Sequence, residues 1–367
     1  MVDRYLKPFC KELDRQIMSD GGHISRNPTA LVELLLDLLP LRQCFMARDR
    51  VPPKQLSDAI DRAMPMVRFF RLGDGIMARF NGGGATATDS LATVLAYDDA
   101  GGAPLRAAPN SGYVRMERGT TLIIADVAAA PAGSLSIASH AGCLSFEMSS
   151  GEHPVIVNCG APTPDHDDWR MFARSTSAHS TLTFEETSSA IFPERTAPSL
   201  PPMPSLSVLP MCRPRSTRRT GRWCSRARMR AIPPASASAM RAASEFSPDG
   251  LLVRGEDTLA APKGLKGEAQ TSGGGYAVRF HLHPSVSAEM AEDEKSVEAR
   301  AARTAKPGRS PPTPRRSRSR KACSLPTNAG RARSFQIVLQ GASKRSGKYR
   351  SRGPIERHRR TRRGALA

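Results

Sequence analysis

The sequence predicts an α+β protein: a helical segment over residues 1–100, then an antiparallel β-sandwich interrupted by Arg/Pro/Ser-rich segments of low order. Three observations carry that expectation. Apolar residues recur at helical spacing as far as Tyr97. Beyond Asp98-Asp99-Ala100-Gly101-Gly102 the period falls to two. Two further blocks show no period and hold the positive charge.

The helices come first. Leu6, Phe9, Cys10, Leu13 and Ile17 fall on one stripe, as an amphipathic helix requires, and Asp20-Gly21-Gly22 stops it. A second helix follows Asn27-Pro28, with Leu31, Leu34, Leu35 and Leu38 inward, and Pro40 is expected to bend or end it. Leu56, Ile60, Met64 and Val67 define a third around 55–70, interrupted by Pro65, and 89–97 a short fourth. Such helical hairpins belong to helical toroids and bundles.

Strands follow as hairpins: 113–117 with 122–126 around Arg118-Gly119, then 144–148 with 155–158 around Ser149-Ser150-Gly151. Short strands are expected at 181–184, 250–254, 276–281 and 335–339. Many short strands between Gly, Pro and Ser turns favour an antiparallel sandwich. The predicted organisation is 1–100 helical, 101–192 the first part of the sandwich, and 193–245 an irregular basic insert. Further strands fill 246–300, and 301–367 is a basic tail with one strand at 335–339.

The 367-residue chain carries a formal charge of +20. Residues 193–245 hold 10 Lys/Arg against 2 Asp/Glu, and 301–367 hold 20 against 1, so the remainder is mildly acidic. One reading of the blocks is a disordered basic tail for polyanions. The other is out-of-frame translation of a GC-rich coding sequence, which yields mainly Arg, Pro, Ser, Ala and Gly. The second is favoured because strand-like sequence resumes abruptly at Phe246 and Phe335, and because the blocks fall where a sandwich needs strands. The seven cysteines form no CxxC pair, against a zinc finger or disulfide framework. No apolar run is long enough to span a bilayer. Met1–Phe9 has no signal-peptide pattern, and the chain reads as if begun part-way through a longer protein. Asn81-Gly82-Gly83-Gly84-Ala85 lacks the Lys-Ser/Thr of a phosphate loop and reads as a tight turn near a cleft.

Five stretches carry a family resemblance: Asp20–Pro28, His140–Gly151 (His-Ala-Gly-Cys-Leu-Ser-Phe-Glu-Met-Ser-Ser-Gly), Val157–Ala161, Trp169–Thr183 and Arg279–Pro284. In that order they resemble the C-terminal region of heparinase II/III-like polysaccharide lyases, over about 1–192 and 246–300. The resemblance implies the end of an α/α toroid leading into a β-sandwich, with a site between them. It also implies β-elimination on uronic-acid-containing glycans. The C5 proton of a uronate is weakly acidic, so its carboxylate must be neutralised while a Tyr or His removes the proton.

On that resemblance His140 ranks first as base or carboxylate partner, against a hydrogen-bonded histidine at a strand start. His23 is the second catalytic candidate, against a surface-loop histidine. Arg26, Asn27, Trp169 and Arg174 are the expected substrate-binding residues: guanidinium groups suit carboxylates, and an aromatic face suits a pyranose. The plain alternatives are a solvated helix terminus for Arg26 and a core or lid residue for Trp169. Some relatives bind a structural zinc through positions matching His140, Asn158 and His179, with Asp where this chain has Asn158. His281 and His283 could pair on a metal, or simply pack in a strand. Relatives also carry a Tyr-His pair where this chain has Ala30 and Leu31, neither of which transfers a proton.

The expected function is therefore a lyase relative on acidic polysaccharide, impaired at that pair. A non-catalytic glycan-binding or envelope protein is the first alternative. A polyanion- or nucleic-acid-binding protein using its basic tail ranks last. The resemblance implies the cell envelope or periplasm, and the lack of a visible leader leaves the cytoplasm as the other reading.

Overall fold

The computed structural model describes residues 2–99, 101–131, 133–163, 169–190, 192, 223–231, 238–247, 249–260, 275–292, 297–301, 321–327, 330–342 and 349–356. Four helices open the chain: α1 (Val2–Gln16), α2 (Pro28–Met46), α3 (Lys54–Phe70) and α4 (Thr88–Leu95). Asn27 caps α2, its Oδ1 accepting the Thr29 N–H at 2.9 Å, and Pro28 takes the first turn, where its missing N–H costs nothing. Pro40 does not end α2, which runs on to Met46. Pro40 is exposed, so water can serve the carbonyl that loses its helical partner. Pro65 is likewise inside α3.

The first sheet has the order β1-β2-β3-β4-β5, all antiparallel: Ala107–Ala108, Tyr113–Arg118, Thr121–Asp126, Phe146–Ser150 and His153–Ile156. Leu144 is not in a strand; it lies in a turn with φ +62°. Alternation along β3 explains how this sheet joins two layers. Leu122 and Ile124 pack with the helices and Tyr113. Ile123 points the other way and joins Met148, Ile156, Leu282 and Val286, with Phe280, Phe335 and Ile337 packed against them. Of these, Phe280, Leu282, Phe335 and Ile337 come from or adjoin a second sheet, β13-β14-β10-β6 (Lys321–Thr327, Gly330–Ala342, Gly275–His281, Leu182–Phe184). Two antiparallel sheets thus face each other, with helices on the outer side of the first.

A third sheet, β15-β9-β8-β7, comprises Tyr349–Glu356, Leu252–Ala260, Ser238–Phe246 and Trp223–Ala231, and a two-stranded ribbon comprises β11 (Val286–Met290) and β12 (Val297–Ala301). Strands β7, most of β8, β13 and β15 therefore run inside the blocks read as irregular. Backbone ladders do not require apolar alternation, so β7 pairs β8 in continuous register from Trp223↔Phe246 to Ala231↔Ser238. The rest of those blocks, including 193–222 and 302–320, lies outside the described residues.

No helix among the described residues is long and apolar enough to cross a membrane. The helical layer depends on packing: Leu35 is 0 % exposed at its centre. Leu35→Ala is expected to cost about 2–5 kcal/mol in urea unfolding. A loss under about 1 kcal/mol would show that this layer is not packed as described.

Candidate functional site

The seam between helices and sandwich is built around the loop after α3. Asn81 and Gly82 both have positive φ, +46° and +90°, which turns the chain sharply. The Gly83 carbonyl then accepts the Ala161 N–H at 3.0 Å, and the Arg79 carbonyl accepts the Asn158 side-chain N–H at 3.3 Å. An ideal Cβ on Gly82 would fall 2.5 Å from the Ala138 carbonyl oxygen, so glycine permits the close approach.

On the sandwich side of the seam His140 and His179 meet. Their Nδ1 and Nε2 atoms are 3.3 Å apart and the rings are edge-to-face. The His179 Nδ1 lies 2.7 Å from the Ser175 carbonyl oxygen. A carbonyl only accepts, so that nitrogen carries the proton and His179 Nε2 holds a lone pair. His140 Nδ1 must then donate to it, which leaves His140 Nε2 as the lone-pair nitrogen. Burial drives the His140 pKa well below the usual histidine value, helped by His179, Arg174 and Arg170. Burial also brings His179 to about 4. The pair is neutral at neutral pH, with both tautomers set by the backbone.

The other expected residues are placed differently. Arg26 is buried and corrects the expectation of a substrate-binding guanidinium. It pairs with Asp126 and donates to the Ser111, Gly112 and Ala129 carbonyls. Asn27 is the α2 cap. His23 hydrogen-bonds Ser25 at 2.6 Å and Gln16 at 3.4 Å in the turn after α1. Arg174 is 5 % exposed and donates to the Ser139 and Ser136 carbonyls at 2.9 and 2.6 Å. Trp169 is half-buried and edge-on to Phe172. Asn158 accepts the Ser180 N–H at 3.0 Å. His281 approaches the Ser177 carbonyl through Nε2 at 2.9 Å and Cys159 Sγ through Nδ1 at 3.7 Å, whereas His283 bonds Ser285. The two are not a metal-binding pair.

Zinc ordinarily takes four nitrogen, sulfur or carboxylate donors. His140, His179 and Asn158 supply two imidazoles and a neutral amide. Among the described residues no three His, Cys, Asp or Glu side chains are grouped to hold a metal. The donor set does not fit zinc.

Sequence reasoning missed Glu147 and Arg79. Glu147 is 1 % exposed; its Oε1 accepts the Asn158 N–H at 2.8 Å, and its Oε2 has no hydrogen-bond partner. Burial pushes its pKa up to about 7 against the opposing charge of Arg79. Arg79 Nη1 is also buried without a partner. The only signal in the sequence was that a glutamate in Leu-Ser-Phe-Glu alternates inward from Phe146.

The sequence profile described as Heparinase II/III-like, C-terminal matches residues 100–354. The chain belongs to this family. The heparinase II/III-like chain is 35% identical over 301 residues to FtsZ-localized protein C of Caulobacter vibrioides (strain NA1000 / CB15N), covering 81% of this chain and 51% of the relative. Its fold is similar to that of the heparan sulfate lyase HepC from Pedobacter heparinus, with a TM-score of 0.66, 14% identity, and 94% of this chain on 54% of that one. It is also similar to a heparinase III structure, with a TM-score of 0.64, 13% identity, and 95% of this chain on 56% of that one. This heparinase II/III-like chain thus spans about half the length of the relatives it matches. Family membership is thus heparinase II/III-like, and the antiparallel sandwich is similar in fold to that of the heparinase structures.

Proposed function

We propose that this chain acts on uronic-acid-containing glycans at the seam, with His140 as the proton acceptor of a β-elimination. The supporting observation is the tautomer chain from the Ser175 carbonyl through His179, which leaves the His140 Nε2 lone pair without a proton. In the reaction Nε2 takes the C5 proton, the C4–O bond breaks, and a C4=C5 double bond forms. The departing oxygen takes a proton from a second group. On this reading the four helices are the last part of an α/α toroid, and the protein works in the cell envelope; a compartment-specific reporter fusion tests that location.

The full chain should produce ultraviolet absorbance from the unsaturated uronate when given heparan sulfate, hyaluronan or alginate. His140→Ala should lower that rate by about a hundredfold or more. Activity unchanged in the variant would remove His140 from the chemistry.

A second reading is a non-catalytic binding protein. Leu31 favours it: where relatives carry the Tyr-His pair, this side chain is 0 % exposed within the helical core. The relative named for localisation to FtsZ supports the same reading. Glycan binding without product, or co-sedimentation with FtsZ filaments, would decide for it.

A further inference from the structure

A surface strap lies beside His140. Residues 133–137 form one 3₁₀ turn with no buried side chain, and Ile137 is 58 % exposed. Segments with so little buried apolar contact open at small free-energy cost. What ties this one down is charge. Arg174 reaches the Ser136 and Ser139 carbonyls, and Arg170 reaches the Ile137 carbonyl at 3.0 Å. Both arginines belong to the short helix α5 (Arg170–Arg174), whose Arg174 carbonyl accepts the Ala141 N–H at 2.8 Å. Arg174 is stacked on Phe192, its guanidinium carbon 4.1 Å from the ring centre. The strap's other side abuts Gly82 of the seam loop. His140, immediately after the strap, is 3 % exposed.

We propose that residues 133–139 are a latch over His140, held shut by Arg170 and Arg174 and released when an oxyanion of an acidic glycan takes over those guanidinium groups. A carboxylate or sulfate binds guanidinium more strongly than a neutral carbonyl does, and in two-pronged geometry. Arg170 is the more accessible of the two, so the anion meets it first and Arg174 follows as the strap lifts. The proposal rests on the acidic-glycan reading above. It adds that the ligand's own charge uncovers the histidine, so a neutral glycan would leave it covered.

Hydrogen–deuterium exchange on the full chain tests this in two arms. Without sugar, Arg174→Ala removes two charge-assisted hydrogen bonds and should speed exchange of the 133–140 amides by about tenfold or more, since one such bond alone is worth about that factor. The hairpin at 113–126 should be unaffected. If Arg174→Ala loosens the hairpin as well, Arg174→Lys decides. It keeps charge and stem but offers one nitrogen in place of the Nε and Nη2 that meet the two carbonyls separately, and a strap no faster than wild type would overturn the latch. In the second arm, a heparin-derived hexasaccharide should speed strap exchange in wild type, while cellohexaose should not. Heparin binding, seen by calorimetry, without faster exchange would overturn release by anions. Heparin failing to bind at all would instead refute the glycan reading, and the sugar-free arm would still judge the latch.

Discussion

Asp126→Asn is expected to destabilise the protein by about 3–5 kcal/mol, because it strands a buried arginine. Asp126 is 2 % exposed and Arg26 7 %. One carboxylate oxygen meets Arg26 and the other accepts the Asn81 side-chain N–H at 3.0 Å. Asn81 also donates to the Tyr113 hydroxyl at 2.7 Å, and that hydroxyl donates to the Arg26 carbonyl at 2.6 Å. Helix entry, seam loop and first sheet are thereby tied into one network. Burial raises the Asp126 pKa against the pull of Arg26, so desolvation is only partly offset. It follows that replacing both partners with apolar residues should recover much of the loss. Urea unfolding of the single variants and of Arg26→Met/Asp126→Leu measures this. If the double variant is as unstable as the sum of the singles, the pair is not coupled.

Glu147→Gln should have the opposite sign and a pH dependence. The native carboxyl titrates near 7, against an ordinary value of 4.5. Below pH 4.5 both folded and unfolded states hold the proton and the group contributes nothing. Between 4.5 and 7 the unfolded chain releases its proton while the fold retains it, so stability falls as pH rises. Above 7 the full cost is present, on the order of 3 kcal/mol from a shift of this size. Glutamine mimics the neutral form and can still accept the Asn158 N–H. The variant should therefore match wild type near pH 4 and exceed it at pH 8. Unfolding free energies measured across that range test it; equal curves for the two proteins would mean that Glu147 is not buried as charge.

The legible parts of the molecule were those encoded locally. Helix α3 follows from Leu56, Ile60, Met64 and Val67, and the β2–β3 hairpin from alternation around Arg118-Gly119. Asn27-Pro28 announces a helix start by itself, which is why the cap was visible: Asn27 Oδ1 accepts the Thr29 N–H. Pro40 does not end α2, because a proline is tolerated inside a helix when the carbonyl one turn earlier, left without its partner, can meet water. The strands within the Arg-rich blocks were illegible because their pairing is a backbone property.

By itself, the sequence determined the order of the helices and of the strands outside the Arg-rich blocks, and the family words around His140 and His179, since periodicity and short motifs are properties of neighbouring residues. Tertiary structure alone decided the rest. Arg26 meets Asp126 across 100 positions, and the Ser175 carbonyl sets the tautomers of two histidines. Glu147 is left with one oxygen unpaired against Arg79. Burial and hydrogen-bond direction arise only when distant segments exclude water together, and they separate a guanidinium that binds a ligand from one that holds the fold.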